Sequence, residues 1–216
     1  MVIAGVMMAS TANAADIEPF NATYTLKADG KSGTATRTLT KSGNTFTYKV
    51  NARAAGIATA NQSSTFRLVN GKIAPSNAST SYRIAGFGNT HNIKFAASQV
   101  VSTYKGKATT LAMTQQAYDD LSLEANIRQE LINGKFTGNY PLVRRTSIEN
   151  ARFKKAGTAQ ITVPAGTYSA VRIDRVHDDK ERATSFWLAP SLGYLPIKVS
   201  QTNDGKVISM ELNKVN

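Results

Sequence analysis

The chain has 216 residues, 41% hydrophobic and 19% charged, with no cysteine and a net charge of +12. That length holds one domain with a sizeable core, and the composition is not that of a disordered polyelectrolyte. The missing cysteines exclude a disulfide scaffold, thiol catalysis and any thiolate metal site.

The first residues, MVIAGVMMASTANA, are uncharged, apolar and then small. Ala12-Asn13-Ala14 fits the small-x-small site of a signal peptidase, which makes 1–14 a leader and 15–216 the mature domain. The stretch is too short to span a bilayer as a helix, and the basic region that usually opens a leader is missing, so we expect a start upstream of Met1. No lipid-attachment cysteine follows and no later run is long enough to be transmembrane, so the expectation is a soluble exported chain, placed in the periplasm.

From Phe20 to about Thr114 the pattern has period two, punctuated by glycine. Tyr24, Leu26 and Ala28 alternate with Thr23, Thr25 and Lys27. Phe46, Tyr48, Val50 and Ala52 alternate with polar and basic residues, as do Phe66 and Leu68, and Ile93 and Phe95. Each run therefore has one apolar and one polar face. Asp29-Gly30, Ser42-Gly43-Asn44, Asn70-Gly71 and Lys105-Gly106-Lys107 supply the turns of an antiparallel meander.

The charge lies mostly here. Positions 30–118 hold 11 basic residues and no acid, whereas the other 127 positions hold 15 basic and 14 acidic ones. A pI near 10.0 first suggests nucleic acid. Export removes that partner, so the basic strand faces, with Lys49, Arg53, Arg67, Arg83 and Lys94, are expected to meet anionic lipid or an acidic envelope polymer.

Between Asp119 and Asn133 the strand alternation stops. Asp119 or Asp120 can cap a helix and Gly134 can end it. The spacing predicts one short amphipathic helix with Glu124, Arg128 and Glu130 outward. Period two then returns over 151–155, 159–163, 168–176, 182–188, 195–201 and 207–214, with Asp204-Gly205 as a further hairpin. The expected fold is mainly β: a single domain with a strongly curved antiparallel sheet, or an open barrel or sandwich, plus that helix.

Catalytic candidates are thin. His91 shares a face with Ile93 and Phe95 and reads as a satisfied core histidine. His177-Asp178-Asp179 runs straight into Lys180-Glu181-Arg182, which reads as a charged hairpin loop, not a metal cluster. Asp119 and Asp120 explain themselves as caps, and Asp174 between Arg172 and Arg175 as an ion-pair partner. The basic run Arg144, Arg145, Arg152, Lys154 and Lys155 includes one acid, Glu149, and reads as a solvated face. No metal or cofactor is expected, and an enzyme built on Asp119, Asp120 or His177 is the weakest reading.

The apolar block Phe186-Trp187-Leu188-Ala189-Pro190, continued by Gly193-Tyr194-Leu195-Pro196-Ile197, places the lone tryptophan on a strand that is apolar on both sides. This block and Val163-Pro164-Ala165-Gly166-Thr167-Tyr168-Ser169-Ala170-Val171-Arg172-Ile173 resemble a family of bacterial exported proteins, catalogued as domain of unknown function 3108. The resemblance extends to 66–75 and to the 120–134 helix, covering nearly the whole mature chain. It implies a periplasmic protein and brings no catalytic residues. The arrangement is more distantly similar to periplasmic lipoprotein carriers, which have more helical lid.

Two noncatalytic readings follow. In the first, an apolar cavity lined by Tyr24, Phe46, Tyr48, Phe66, Phe95 and Trp187 takes a hydrophobic or anionic amphipathic ligand of the envelope. In the second, the basic sheet docks an acidic polymer or protein as a structural adaptor. Oligomeric state stays open.

Overall fold

The computed structural model describes residues 15–28, 30–54 and 58–216; the expected leader over 1–14 lies outside them. Eight strands come first: β1 (Phe20–Ala28), β2 (Lys31–Ser42), β3 (Thr45–Ala54), β4 (Ala58–Val69), β5 (Lys72–Ile84), β6 (Phe87–Phe95), β7 (Gln99–Tyr104) and β8 (Lys107–Ala112). The helix α1 (Asp120–Ile132) follows. Six strands complete the chain: β9 (Asn139–Val143), β10 (Ile148–Val163), β11 (Gly166–Val176), β12 (Arg182–Ala189), β13 (Leu195–Asn203) and β14 (Lys206–Val215).

All fourteen strands form one antiparallel sheet, ordered β8-β7-β6-β5-β4-β3-β2-β1-β14-β13-β12-β11-β10-β9. The first and last strands thus lie together in the middle of the sheet, and β2–β8 and β9–β13 are wings on either side of the β1–β14 pair. Turn chemistry sets the hairpins: Asn70-Gly71, Lys105-Gly106 and Asp204-Gly205 each place two successive residues at positive φ. That geometry matches the twist of paired strands. The sequence predicted two separate strands over 151–155 and 159–163. The structure has one long strand, β10, whose pairing with β11 shifts between Lys155 and Thr158, beside Gly157 at φ +108°.

The sheet curls but does not close into a barrel. The two wings approach through the segment before α1. Tyr118 N–H donates to Pro141 O and Val143 N–H to Tyr118 O, both at 2.9 Å, which covers part of the free edge of β9. Ser102 Oγ on β7 donates to the carbonyl oxygens of Arg144 and Arg145 at 3.3 and 2.8 Å, a second tie between the wings.

Helix α1 fills the curl. Leu39, Phe46, Tyr48, Phe66 and Ile73 from one wing and Tyr140, Leu142, Ile173 and Leu188 from the other share one core with Leu121, Leu123, Ile127 and Leu131 of the helix. Burying each such large side chain contributes about 1.5–3 kcal/mol. Asp119 is the N-cap: its Oδ1 accepts from the backbone N–H groups of Leu121 and Ser122, its Oδ2 from Ser64 Oγ at 2.7 Å, and Ser122 Oγ closes a capping box.

One sequence expectation is overturned here. Glu124, Arg128 and Glu130 do not face outward. Arg128 is 2% exposed, and the two glutamates are half-buried and hydrogen-bonded. With sheet on more than one side, α1 has little free surface, so its polar side chains must find partners inside.

Candidate functional site

Strand register sorts side chains onto two faces. On the inner face, one row runs through Met210, Leu26, Gly33, Ala54, Ala58, Ile84 and Phe87, from β14 to β6. It lies towards the end of the sheet where β1, β3, β5 and β13 finish, beyond the part packed on α1. Most of the row is small or half-buried, but Ile84 is 60% exposed and Phe87 85%. Tyr82 and Ile208 on the same inner face, and Val207 beside the latter, are also exposed. Among the described residues, five of the seven exposed large hydrophobics, Tyr82, Ile84, Phe87, Val207 and Ile208, thus lie at one rim; Val69 and Val215 lie at the other. Exposed apolar residues are ordinary singly and informative when clustered.

The outer face of the same wing is polar. Thr25, Thr34, Arg53, Thr59 and Arg83 form one row, with the two arginines on either side of Thr59. Asn21, Thr38, Lys49, Ser63, Ser79 and Asn92 form another. A shallow groove of about 310 Å³ crosses this face, lined by Ser63, Thr65, Asn77, Asn92, Lys94 and Thr103 among others. Lys49, Arg53, Arg67, Arg83 and Lys94, expected to face anions, are all exposed there. Of the 11 basic residues between 30 and 118, only Arg37 is buried and only Arg37 has an ion-pair partner among the described residues.

The six residues expected around one cavity fall into three separate clusters. Tyr24, Phe46, Tyr48 and Phe66 are fully buried, and Phe46 and Phe66 stack at 5.6 Å. Phe46, Tyr48 and Phe66 belong to the core around α1, and Tyr24 to a neighbouring cluster. Phe95 is half-buried in a third. Trp187 is half-buried and packs against the same cluster as Tyr24, with Arg172 and Lys198 over its ring at 5.5 and 5.8 Å. Helix α1 occupies the space that a ligand would need between the rings of the first core.

Beneath α1 lies a polar cluster that the sequence reading missed. Arg37 Nη2 donates to Tyr48 Oη at 2.5 Å and pairs with Glu124, which also accepts from Tyr48 Oη at 2.6 Å. Arg128 donates from Nε and Nη2 to Gly193 O at 3.2 and 3.1 Å and covers the Phe20 ring at 4.9 Å. Burial pushes the Tyr24 hydroxyl up to about 12, and burial likewise raises Tyr48 well above its ordinary value. A signal was present: Arg37 stands two residues from both Ala35 and Leu39, on the apolar face of β2.

The titratable candidates singled out in the sequence have structural partners. His91 Nε2 lies 2.8 Å from Ser102 Oγ, but that hydroxyl is buried and donates to two carbonyl oxygens, so the pair acts as a tie between strands. His177 Nε2 contacts Thr184 Oγ1 at 3.0 Å, Asp178 pairs with Arg152, and Asp120 pairs with Arg144. Among the described residues no three His, Asp or Glu side chains are grouped to hold a metal, and no helix is long and apolar enough to cross a membrane.

The family model described as "Protein of unknown function (DUF3108)" matches residues 20–213, and the chain belongs to that family. No curated protein matches it. A solved structure described as a beta-barrel-like protein of domain of unknown function DUF1849, from Brucella abortus, is similar in fold. It has a TM-score of 0.59 and 13% identity, over 93% of this chain and 98% of that one.

Proposed function

We propose that this DUF3108 chain is an exported, periplasmic, noncatalytic protein that engages an anionic lipid surface through the open rim of its curled sheet. The observation that carries the reading is the coincidence of two features at that rim. Ile84, Phe87, Tyr82 and Ile208 present apolar surface, and Lys31, Arg53 and Arg83, on strands β2, β3 and β5 that carry no carboxylate, stand near that end of the sheet with Lys105 in the β7–β8 turn. Apolar side chains give depth in the acyl boundary, while lysine and arginine add attraction to anionic headgroups. The small residues Gly33, Ala54 and Ala58 behind Ile84 leave the inner face shallow enough to receive part of an acyl chain.

An internal hydrophobic ligand is less favoured, because the aromatic rings that would line its cavity are already packed. An acidic polymer on the outer groove remains the rival. Co-sedimentation with vesicles of phosphatidylcholine, with and without phosphatidylglycerol, separates these. We expect binding that requires the anionic lipid and is lost both in Ile84→Ser/Phe87→Ser and in Arg53→Glu/Arg83→Glu. If the serine variant binds as well as wild type, the apolar rim has no role and the polymer reading takes over. Absence of binding to either vesicle rejects lipid engagement.

A further inference from the structure

The buried cluster under α1 carries more positive charge than it can neutralise. Arg37 and Arg128 are 3% and 2% exposed, and Glu124 is the acid that pairs with Arg37. The surroundings are the aromatic rings of Phe20, Tyr24 and Tyr48, which attract cations weakly but cannot cancel a full charge. Two donors are left over: Arg37 Nε and Arg128 Nη1 are buried without a hydrogen-bond partner among the described residues. Arginine does not shed its proton in a protein, so the excess charge persists at every working pH. Buried donors and buried charges ordinarily have partners.

We propose that this cluster is a binding site for one small monovalent anion, of the halide or carboxylate class, held by Arg37 Nε and Arg128 Nη1. A water molecule could fill the hydrogen-bonding demand of these nitrogens but not the charge. One monovalent anion does both, making two arginines, one glutamate and the ion neutral together. Tyr48 does not compete for it, because its hydroxyl donates to Glu124 and accepts from Arg37. Gly193, whose carbonyl Arg128 grips, is exposed, so the turn Pro190–Tyr194 puts the Arg128 end of the cluster next to solvent. This inference does not depend on lipid engagement, since none of its residues lies on the rim.

The test is thermal unfolding of the full chain while bromide or formate replaces sulfate at constant ionic strength. The expected result is a saturable rise in Tm of about 3–6 °C at ten times Kd. Arg128→Met, which leaves the cluster neutral, should abolish the rise; sulfate-to-bromide exchange at the ten exposed basic residues of the acid-free wing would survive it. A wild-type Tm indifferent to the anion, or an unchanged response in Arg128→Met, overturns the proposal in favour of water. Should that variant not fold, wild-type crystals soaked in bromide decide instead. An anomalous peak between the two nitrogens supports the site, and its absence at saturating bromide removes it. Octanoate in place of formate distinguishes the sources: a tighter response identifies the carboxylate of a longer chain, and none identifies a closed site for small anions.

Discussion

Between residues 30 and 118, strands β2–β8 carry 11 basic residues and no acid; between 139 and 216, strands β9–β14 carry 12 basic residues and 7 acids. Among the described residues the second region pairs five of its 12 basic residues: Arg144 and Arg175 with Glu149, Arg172 with Asp174, Arg152 with Asp178, and Lys198 with Glu211. Among the described residues the first pairs one, Arg37, and borrows the acid from α1. Both regions fold by the same antiparallel pairing and bury the same kinds of side chain, so charge pairing is not what holds the sheet. Surface pairs of this kind contribute about 0–1 kcal/mol each. Ten exposed basic residues with no ion pair among the described residues are therefore placed to act on something outside the molecule, and their field focuses anions on one wing.

The largest expected effect comes from breaking the one pair the acid-free wing does have. Glu124→Ala leaves Arg37 charged and buried beside Tyr48, and uncompensated buried charges of this type cost about 3–5 kcal/mol. Urea unfolding should show a lower midpoint with an unchanged slope. A loss under about 1 kcal/mol would mean that Arg37 reaches solvent, and the two regions would then differ less than the structure implies.

A smaller effect is expected on the other side. Glu149→Gln removes the negative charge shared by Arg144 and Arg175 at 2.9 and 2.6 Å. These groups are partly exposed, so the expected loss is about 1 kcal/mol and shrinks as salt is added. The contrast sharpens if salt stabilises wild type, by screening repulsion among the unpaired cations, while narrowing the gap between wild type and Glu149→Gln.

Much of this was legible in the sequence, and the failures have physical causes. Asn70-Gly71 and Asp204-Gly205 announced their hairpins because their residues tolerate positive φ. The turn between β5 and β6 did not, because Ala85 takes φ +49° without an Asn or Asp to advertise it. The exposed Ile84 and Phe87 flanking it went unread for the same reason. Period two placed Phe46, Tyr48 and Phe66 on one face, yet period alone does not say whether that face meets a ligand or a helix. The helix itself was located by its caps, while its outward face was inferred from polarity. A sheet wrapped around α1 defeats that inference, since a polar residue can point inward wherever another polar residue waits. Glu124 could not be matched to Arg37, 87 positions away, without the tertiary structure.

The smallest effect compares the two histidines, one in each region. Burial lowers the pKa of His91 and of His177 below the ordinary 6.5, and Arg145 and Arg175 respectively add to it. A lowered folded pKa means that the unfolded chain takes up the proton first. Stability is then full above about 6.5 and declines as pH falls through 6.5 towards the folded values. His91 ties β6 to Ser102, whose hydroxyl reaches the carbonyls of Arg144 and Arg145 across the gap between the wings. His177 ties only the ends of one hairpin, to Thr184. Protonation alone leaves His91 Nε2 able to donate to Ser102, so the cost lies in burying a cation and, to a lesser degree, in placing it beside Arg145. His91→Gln keeps a donor without the charge and should flatten the decline in Tm below pH 6.5 more than His177→Gln does. Equal flattening by both variants would place the acid sensitivity in burial alone and leave the junction of the wings with no part in it.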